Sequence, residues 1–195
     1  MTIIQIDNRF ITPLKCGSRY LRSFGWQTKG VAMLSDEWDE FKNLNWGTIV
    51  LRDPQEHLHS ALHTELLSLW NNHTNWAGIT EEELINLFIS NSGSTHWCGI
   101  LNKTIFDVYV LKNKQPKALK LENLSLFLSL EGTPLPYNKE KYSFKDFNRW
   151  ESSDYIKNYV KTTYPSQYEI MLSMVNEDRK YYNMFSFLNF EKKLI

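Results

Sequence analysis

IVLRDPQEHLHSAL, residues 49–62, carries an apolar, β-branched run into an Arg-Asp-Pro turn and out into an amphipathic pattern. Ile49, Val50 and Leu51, with Thr48 before them, suit a buried strand. Asp53 is a good N-cap because its carboxylate can accept from unbonded helix N–H groups, and Pro54 suits the first helical position, where its missing N–H costs nothing. Leu58, Ala61, Leu62, Glu65, Leu66, Leu69 and Trp70 then trace a mostly apolar stripe at helical spacing. The segment predicts a strand over 48–51 and a helix from Pro54 to Trp70. Arg52 falls at the strand's carboxyl end beside the helix start, where a guanidinium is well placed to hold an anion, and Ser60 falls about two turns along. A plainer reading makes Asp53 a helix cap and Arg52 a solvated strand end.

The flanking sequence repeats this alternation. Upstream, MTIIQIDNRFIT reads as a strand, Pro13 to Gly17 as a loop, and Tyr20, Leu21 and Phe24 as a short helical face, with a possible acidic helix at DEWDEF, residues 36–41. Downstream, Thr80 and Glu83 form a capping box ahead of Leu84, Leu87 and Phe88. SNSGSTHWCG, residues 90–99, reads as a polar loop and IFDVYVL, residues 105–111, as a buried strand. LENLSLFLSLEG reads as a helix stopped at Gly132, residues 133–144 as a loop, and the remainder as helical almost to its end with a break at Pro165. The expectation is one α/β domain over residues 1–195, with a central parallel sheet flanked by helices, a helical C-terminal region and a ligand at the carboxyl ends of the strands.

Composition narrows the classes of function. Of 195 residues 42% are hydrophobic, and Lys+Arg and Asp+Glu balance at 22 each, so net charge supports no broad nucleic-acid or anionic-membrane surface. No stretch is long and apolar enough to span a bilayer or to act as a secretion signal, so a soluble, cytoplasmic protein is expected. Cys16 and Cys98 are too few for a disulfide framework and lie in no Cys-x-x-Cys pair, so both are expected as free thiols.

The other strand end of interest is PLKCGSRYL, residues 13–21. Lys15 precedes a glycine and Ser18 follows it, so backbone N–H groups, a mobile cation and a hydroxyl can meet one phosphate, with Gly17 allowing close approach. An ordinary strand-to-helix turn is the alternative. The Walker A pattern G-x-x-x-x-G-K-[ST] is absent, which disfavours a nucleoside triphosphatase or small nucleotide kinase.

Taken in order, the two segments resemble the PAPS-dependent sulfotransferases (PAPS, 3′-phosphoadenosine 5′-phosphosulfate), closest to the carbohydrate type. That family pairs a Pro-Lys-x-Gly-[ST] loop with an Arg-Asp-Pro-x-Glu-[Arg]-x-x-Ser segment. Here the second runs from Arg52 to Ser60 with His57 where arginine is usual; the first runs from Pro13 to Ser18 with Leu14 inserted and Arg19 where a small hydroxyl residue is common. THWCGIL (95–101), IFDVYVLKN (105–113), ALKLENL (118–124), PLPYNKEKY (134–142) and MVNEDRKYYNMF (174–185) resemble later family elements in the same order.

The resemblance implies a P-loop-like three-layer fold and transfer of a sulfuryl group from PAPS to a hydroxyl acceptor, a carbohydrate or small molecule, with no nucleic-acid or membrane partner. Lys15 would stabilise the departing 5′-phosphate, helped by the Cys16, Gly17, Ser18, Arg19 and Tyr20 segment; Arg52 and Ser60 would anchor the 3′-phosphate; Lys139 or Lys141 would close over the nucleotide. No metal is obligatory. The base that takes the acceptor's proton is expected at Glu37, with Asp36 beside it, and His96 is the imidazole alternative. The altered loop motivates a second reading, a sulfotransferase-like binding or assembly module without turnover.

Overall fold

The computed structural model describes residues 2–7, 9–32, 47–71, 77–90, 96–112, 117–133 and 153–189. Among them the chain runs β1 (Thr2–Ile6), β2 (Phe10–Pro13), α1 (Ser18–Arg22), β3 (Thr28–Ala32), β4 (Thr48–Leu51), α2 (Pro54–Trp70), α3 (Glu81–Ile89) and α4 (Leu101–Leu111). There follow β5 (Lys117–Lys120), a 3₁₀ turn (Leu121–Asn123), α5 (Leu124–Leu130), α6 (Ser153–Thr163), α7 (Pro165–Tyr182) and β6 (Ser186–Phe187).

The strands make one sheet in the order β3-β1-β2-β4-β5-β6. β2, β4, β5 and β6 pair in parallel, whereas β1 is antiparallel to both β2 and β3. The expected all-parallel sheet is therefore mixed. The difference arises within residues 2–12, expected as one strand, which fold back at Asp7 so that Ile6 pairs with Phe10. Asp7 takes the left-handed conformation, φ 51°, that Asp tolerates better than most side chains.

Period-two alternation loads both faces of the sheet. Ile3, Ile11, Ile49, Leu51 and Ala118 point to one side and pack with Leu101, Ile105, Val108 and Tyr109 of α4 and Tyr182 of α7. Ile4, Ile6, Phe10, Val50 and Leu119 point to the other and pack with Leu21 of α1 and Leu124 and Leu128 of α5. Because helices cover both sides, the central strands read as continuous apolar runs. A further apolar cluster joins α2, α3, α6 and α7 through Leu58, Leu62, Leu66, Leu84, Phe88, Val160 and Met171. No helix among the described residues is long and apolar enough to cross a membrane.

IFDVYVL, expected as a strand, is the second half of α4. Its β-branched and aromatic residues favour a strand by propensity, yet Leu101, Ile105, Val108 and Tyr109 are buried at helical spacing while Val110 and Leu111 are exposed. The α4 N-terminus is closed from α7: Asn102 N and Lys103 N each donate to Asp178 at 3.1 Å, and Asn102 Nδ2 donates to it at 2.6 Å. The strand comes later, at β5, where Ala118 and Leu119 are buried. After α7 the chain returns to the sheet as β6 rather than continuing as helix.

The helix starts follow the expected chemistry. Asp53 accepts from Gln55 N at 2.9 Å and Glu56 N at 3.3 Å, with Pro54 at the first helical position. Arg179 of α7 donates to the same carboxylate at 3.1 Å, tying the last long helix to the end of β4. Thr80 and Glu83 make the reciprocal capping box at α3, and Pro165 opens α7. Gly132, at φ 72°, follows the end of α5.

Candidate functional site

β2 and β4 are parallel neighbours, so the loop after β2 and the turn after β4 emerge side by side. The first loop, Leu14 to Gly17, contains two left-handed residues, Lys15 at φ 68° and Gly17 at φ 90°. The backbone angle at Gly17 favours glycine, and a side chain there would also have to displace the leucine methyls Leu121 Cδ1 at 2.8 Å and Leu124 Cδ2 at 3.0 Å.

Three successive loop carbonyls are each held by a donor from the framework. Leu14 O accepts from His57 Nε2 at 2.9 Å, Lys15 O from Arg52 Nη1 at 3.5 Å, and Cys16 O from the buried Thr12 hydroxyl at 2.7 Å. His57, in the place where the family has arginine, is thus a loop support. Burial pushes its pKa down to about 4, so near neutrality it is an uncharged donor.

A cavity of about 330 Å³ opens beside this loop. Leu14, Lys15, Gly17 and Ser18 form one wall with Arg22 of α1. Ser60, His63, Thr64, Leu67 and Ser68, a single face of α2 at helical spacing, also line the cavity, as does His96. Among the described residues the lining holds two cationic side chains, two imidazoles and four hydroxyls and no Asp or Glu, a composition that suits an anionic ligand with several hydrogen-bonding groups. Among the described residues no three His, Cys, Asp or Glu side chains converge as a metal-ligand set.

Lys15, Gly17, Ser18 and Ser60, expected in the site from two separate motifs, share this cavity. Arg52 does not line it; with its side chain 28% exposed, it donates to Lys15 O and lies 3.6 Å from the Glu56 carboxylate. Cys16 is buried, its thiol pushed up to about 12 by desolvation. Tyr20 packs away from the cavity, edge-to-face on Phe24. Arg19 lies in α1, with its side chain outside the described set. Asp36, Glu37, Lys139 and Lys141 lie outside the described residues.

Tryptophan can supply a stacking platform for an adenine or sugar ring, but the described ones are packed in the fold. Trp97 is buried against Phe88, Trp26 stacks on Phe24, and Trp38 and Trp46 lie outside the described residues. His59 is likewise a core residue, bonded to Tyr168 Oη at 3.0 Å.

Arg22, Thr64, Ser68 and Glu65 were not legible as site residues. Ser18 and Arg22 stand four apart, one turn of α1, and Ser60, Thr64 and Ser68 repeat at the same spacing on α2. Two such polar rows were a usable signal. Glu65 interrupts the apolar stripe of α2, and its buried carboxylate accepts from His96 Nδ1 at 2.5 Å. No protein-family model matches the chain, and no significant match was found among curated proteins or solved structures.

Proposed function

We propose that the chain transfers a sulfuryl group from PAPS to a hydroxyl of a carbohydrate or other small acceptor. The observation that carries this reading is the convergence of Lys15, Gly17 and Ser18 from one motif with Ser60 from the other on a single cavity whose described lining includes two cationic side chains. Sulfuryl transfer asks for alignment and for stabilisation of negative charge as the bridging oxygen departs, and a loop amide group, a lysine and a serine are suited to that work. Lys15 and Ser18 would hold the 5′-phosphosulfate. Ser60 would meet the 3′-phosphate, with Arg22 as the second cation of the cavity. Arg52, given to the 3′-phosphate by resemblance, would have to turn from Lys15 O and Glu56 to reach it. Glu37 and His96 are the two candidates for the base, and His96 lines the cavity.

Adenosine 3′,5′-bisphosphate, the spent donor, is expected to raise the melting temperature more than AMP or ADP; equal shifts for all three would end the 3′-phosphate assignment. Lys15→Ala is expected to cut transfer of labelled sulfate by about 10²–10³-fold, as for loss of one charge-stabilising donor, while leaving the fold intact.

The engagement of Arg52 outside the cavity favours one alternative, a sulfotransferase-like binding or assembly module. Tight binding of the bisphosphate with no sulfated product across a broad acceptor panel would select it.

A further inference from the structure

Glu65 stands in an unusual place for a carboxylate. Its side chain is 3% exposed, in the stripe of α2 that also buries Leu58, Ala61, Leu62 and Leu66. A buried carboxylate costs several kcal/mol unless it is paired and hydrogen-bonded. A partner is His96, which comes from a separate loop, retains 24% exposure and lines the same cavity as Lys15 and Ser18. A carboxylate oxygen is an acceptor, so the 2.5 Å contact at Nδ1 favours, in the neutral ring, the tautomer with its proton on Nδ1 and its basic nitrogen at Nε2. The cavity thus has charge-stabilising groups at the loop and an oriented imidazole in its lining, with the orienting acid buried.

We infer that Glu65 is a positioning residue that makes His96, rather than Glu37, the proton acceptor of this cavity. The chemistry rests on the sulfuryl-transfer reading; the tautomer does not. In the step, the acceptor oxygen bonds to sulfur while the bond from sulfur to the 5′-phosphate oxygen breaks, its electron pair leaving on that phosphate. The hydroxyl proton passes to Nε2 of His96. Glu65 then faces an imidazolium instead of a neutral ring, a charge-assisted bond that strengthens as the proton arrives.

The test is nitrogen NMR on protein labelled in its histidines, with His96→Gln to assign the signal, beside steady-state kinetics. Wild-type His96 is expected as the Nδ1–H tautomer, and Glu65→Leu is expected to move it to the Nε2–H form. Glu65→Gln is expected to lower kcat about 10²-fold with KM for the donor within about twofold, the signature of lost base function rather than lost binding. A wild-type Nε2–H tautomer overturns the inference, as does an unchanged kcat in Glu65→Gln. Should Glu65→Leu fail to fold, the wild-type tautomer alone decides. Absence of any sulfated product with an Nδ1–H tautomer in place would refute the sulfuryl-transfer reading and the base role while leaving the positioning of His96 by Glu65 standing.

Discussion

Asp178→Asn will remove a pH dependence that the wild-type protein carries between about pH 4 and pH 6. Asp178 is 5% exposed and accepts from three N–H donors at the start of α4, which favour its charged form. Desolvation opposes them and prevails, raising the carboxyl from an ordinary 3.8 to about 6. A carboxyl that holds its proton more tightly in the folded than in the unfolded chain contributes stability that is complete below its ordinary pKa and is lost as pH rises through the folded value. At about 1.4 kcal/mol per unit, the span from 3.8 to about 6 corresponds to on the order of 3 kcal/mol.

His57 acts in the opposite sense over nearly the same range. Burial lowers its pKa from 6.5 to about 4, so its contribution is complete above 6.5 and is lost as pH falls toward 4. The two terms offset each other in the wild type, and a single profile hides both. Urea unfolding of wild type and Asp178→Asn between pH 4 and 7.5 separates them. The asparagine has one carboxamide oxygen in place of two acceptors, which lowers stability by about 1–3 kcal/mol at every pH. On top of that constant, the advantage of wild type over variant is expected to shrink by about 3 kcal/mol as pH rises from 4 to 7. An advantage that grows with pH would refute the reasoning, because it would mean that the three donors outweigh burial.

Two further substitutions probe the loop and the cavity. Gly17→Ala places a methyl group against Leu121 and Leu124 at φ 90°, so it should cost about 1–3 kcal/mol in urea unfolding and weaken binding of the spent donor. Arg22→Gln should lower affinity for adenosine 3′,5′-bisphosphate about tenfold by calorimetry, whereas Arg52→Gln should chiefly lower the melting temperature by releasing Lys15 O; the reverse outcome would return the phosphate role to Arg52.

Residues whose structure is set by neighbours in sequence were readable. Asp53 and Pro54 start α2, Thr80 and Glu83 start α3, and Thr48 to Leu51 form β4, because caps and short apolar runs act over a few positions. IFDVYVL was misread because its composition and its periodicity disagree, and the partner that closes its helix, Asp178, lies seventy-five residues beyond Lys103. The turn at Asp7 was missed because residues 2–12 lack an Asn-Gly or similar hairpin signal. Lys15, Gly17, Ser18 and Ser60 were named from motifs, and all four line one cavity. Arg22 and Glu65 left only weak local traces, a polar spacing of four on α1 and a break in the apolar stripe of α2, and their neighbours become evident only from the packing of α1, α2 and the His96 loop.

The mixed sheet also has a consequence for how a ribosome delivers this chain. β1, β2 and β3 are antiparallel neighbours within the first 32 residues and can zip together as they emerge. Each parallel addition must wait for a distant segment, β4 first, then β5, then β6. The described cavity-lining residues, His96 among them, are synthesised before α7, the helix whose Arg179 grips Asp53 and whose Asp178 closes α4. A nascent chain stalled short of α7 would carry the cavity-lining residues without the Arg179–Asp53 contact or the Asp178 closure of α4, so both ties can form only late in synthesis, shortly before β6 joins the sheet.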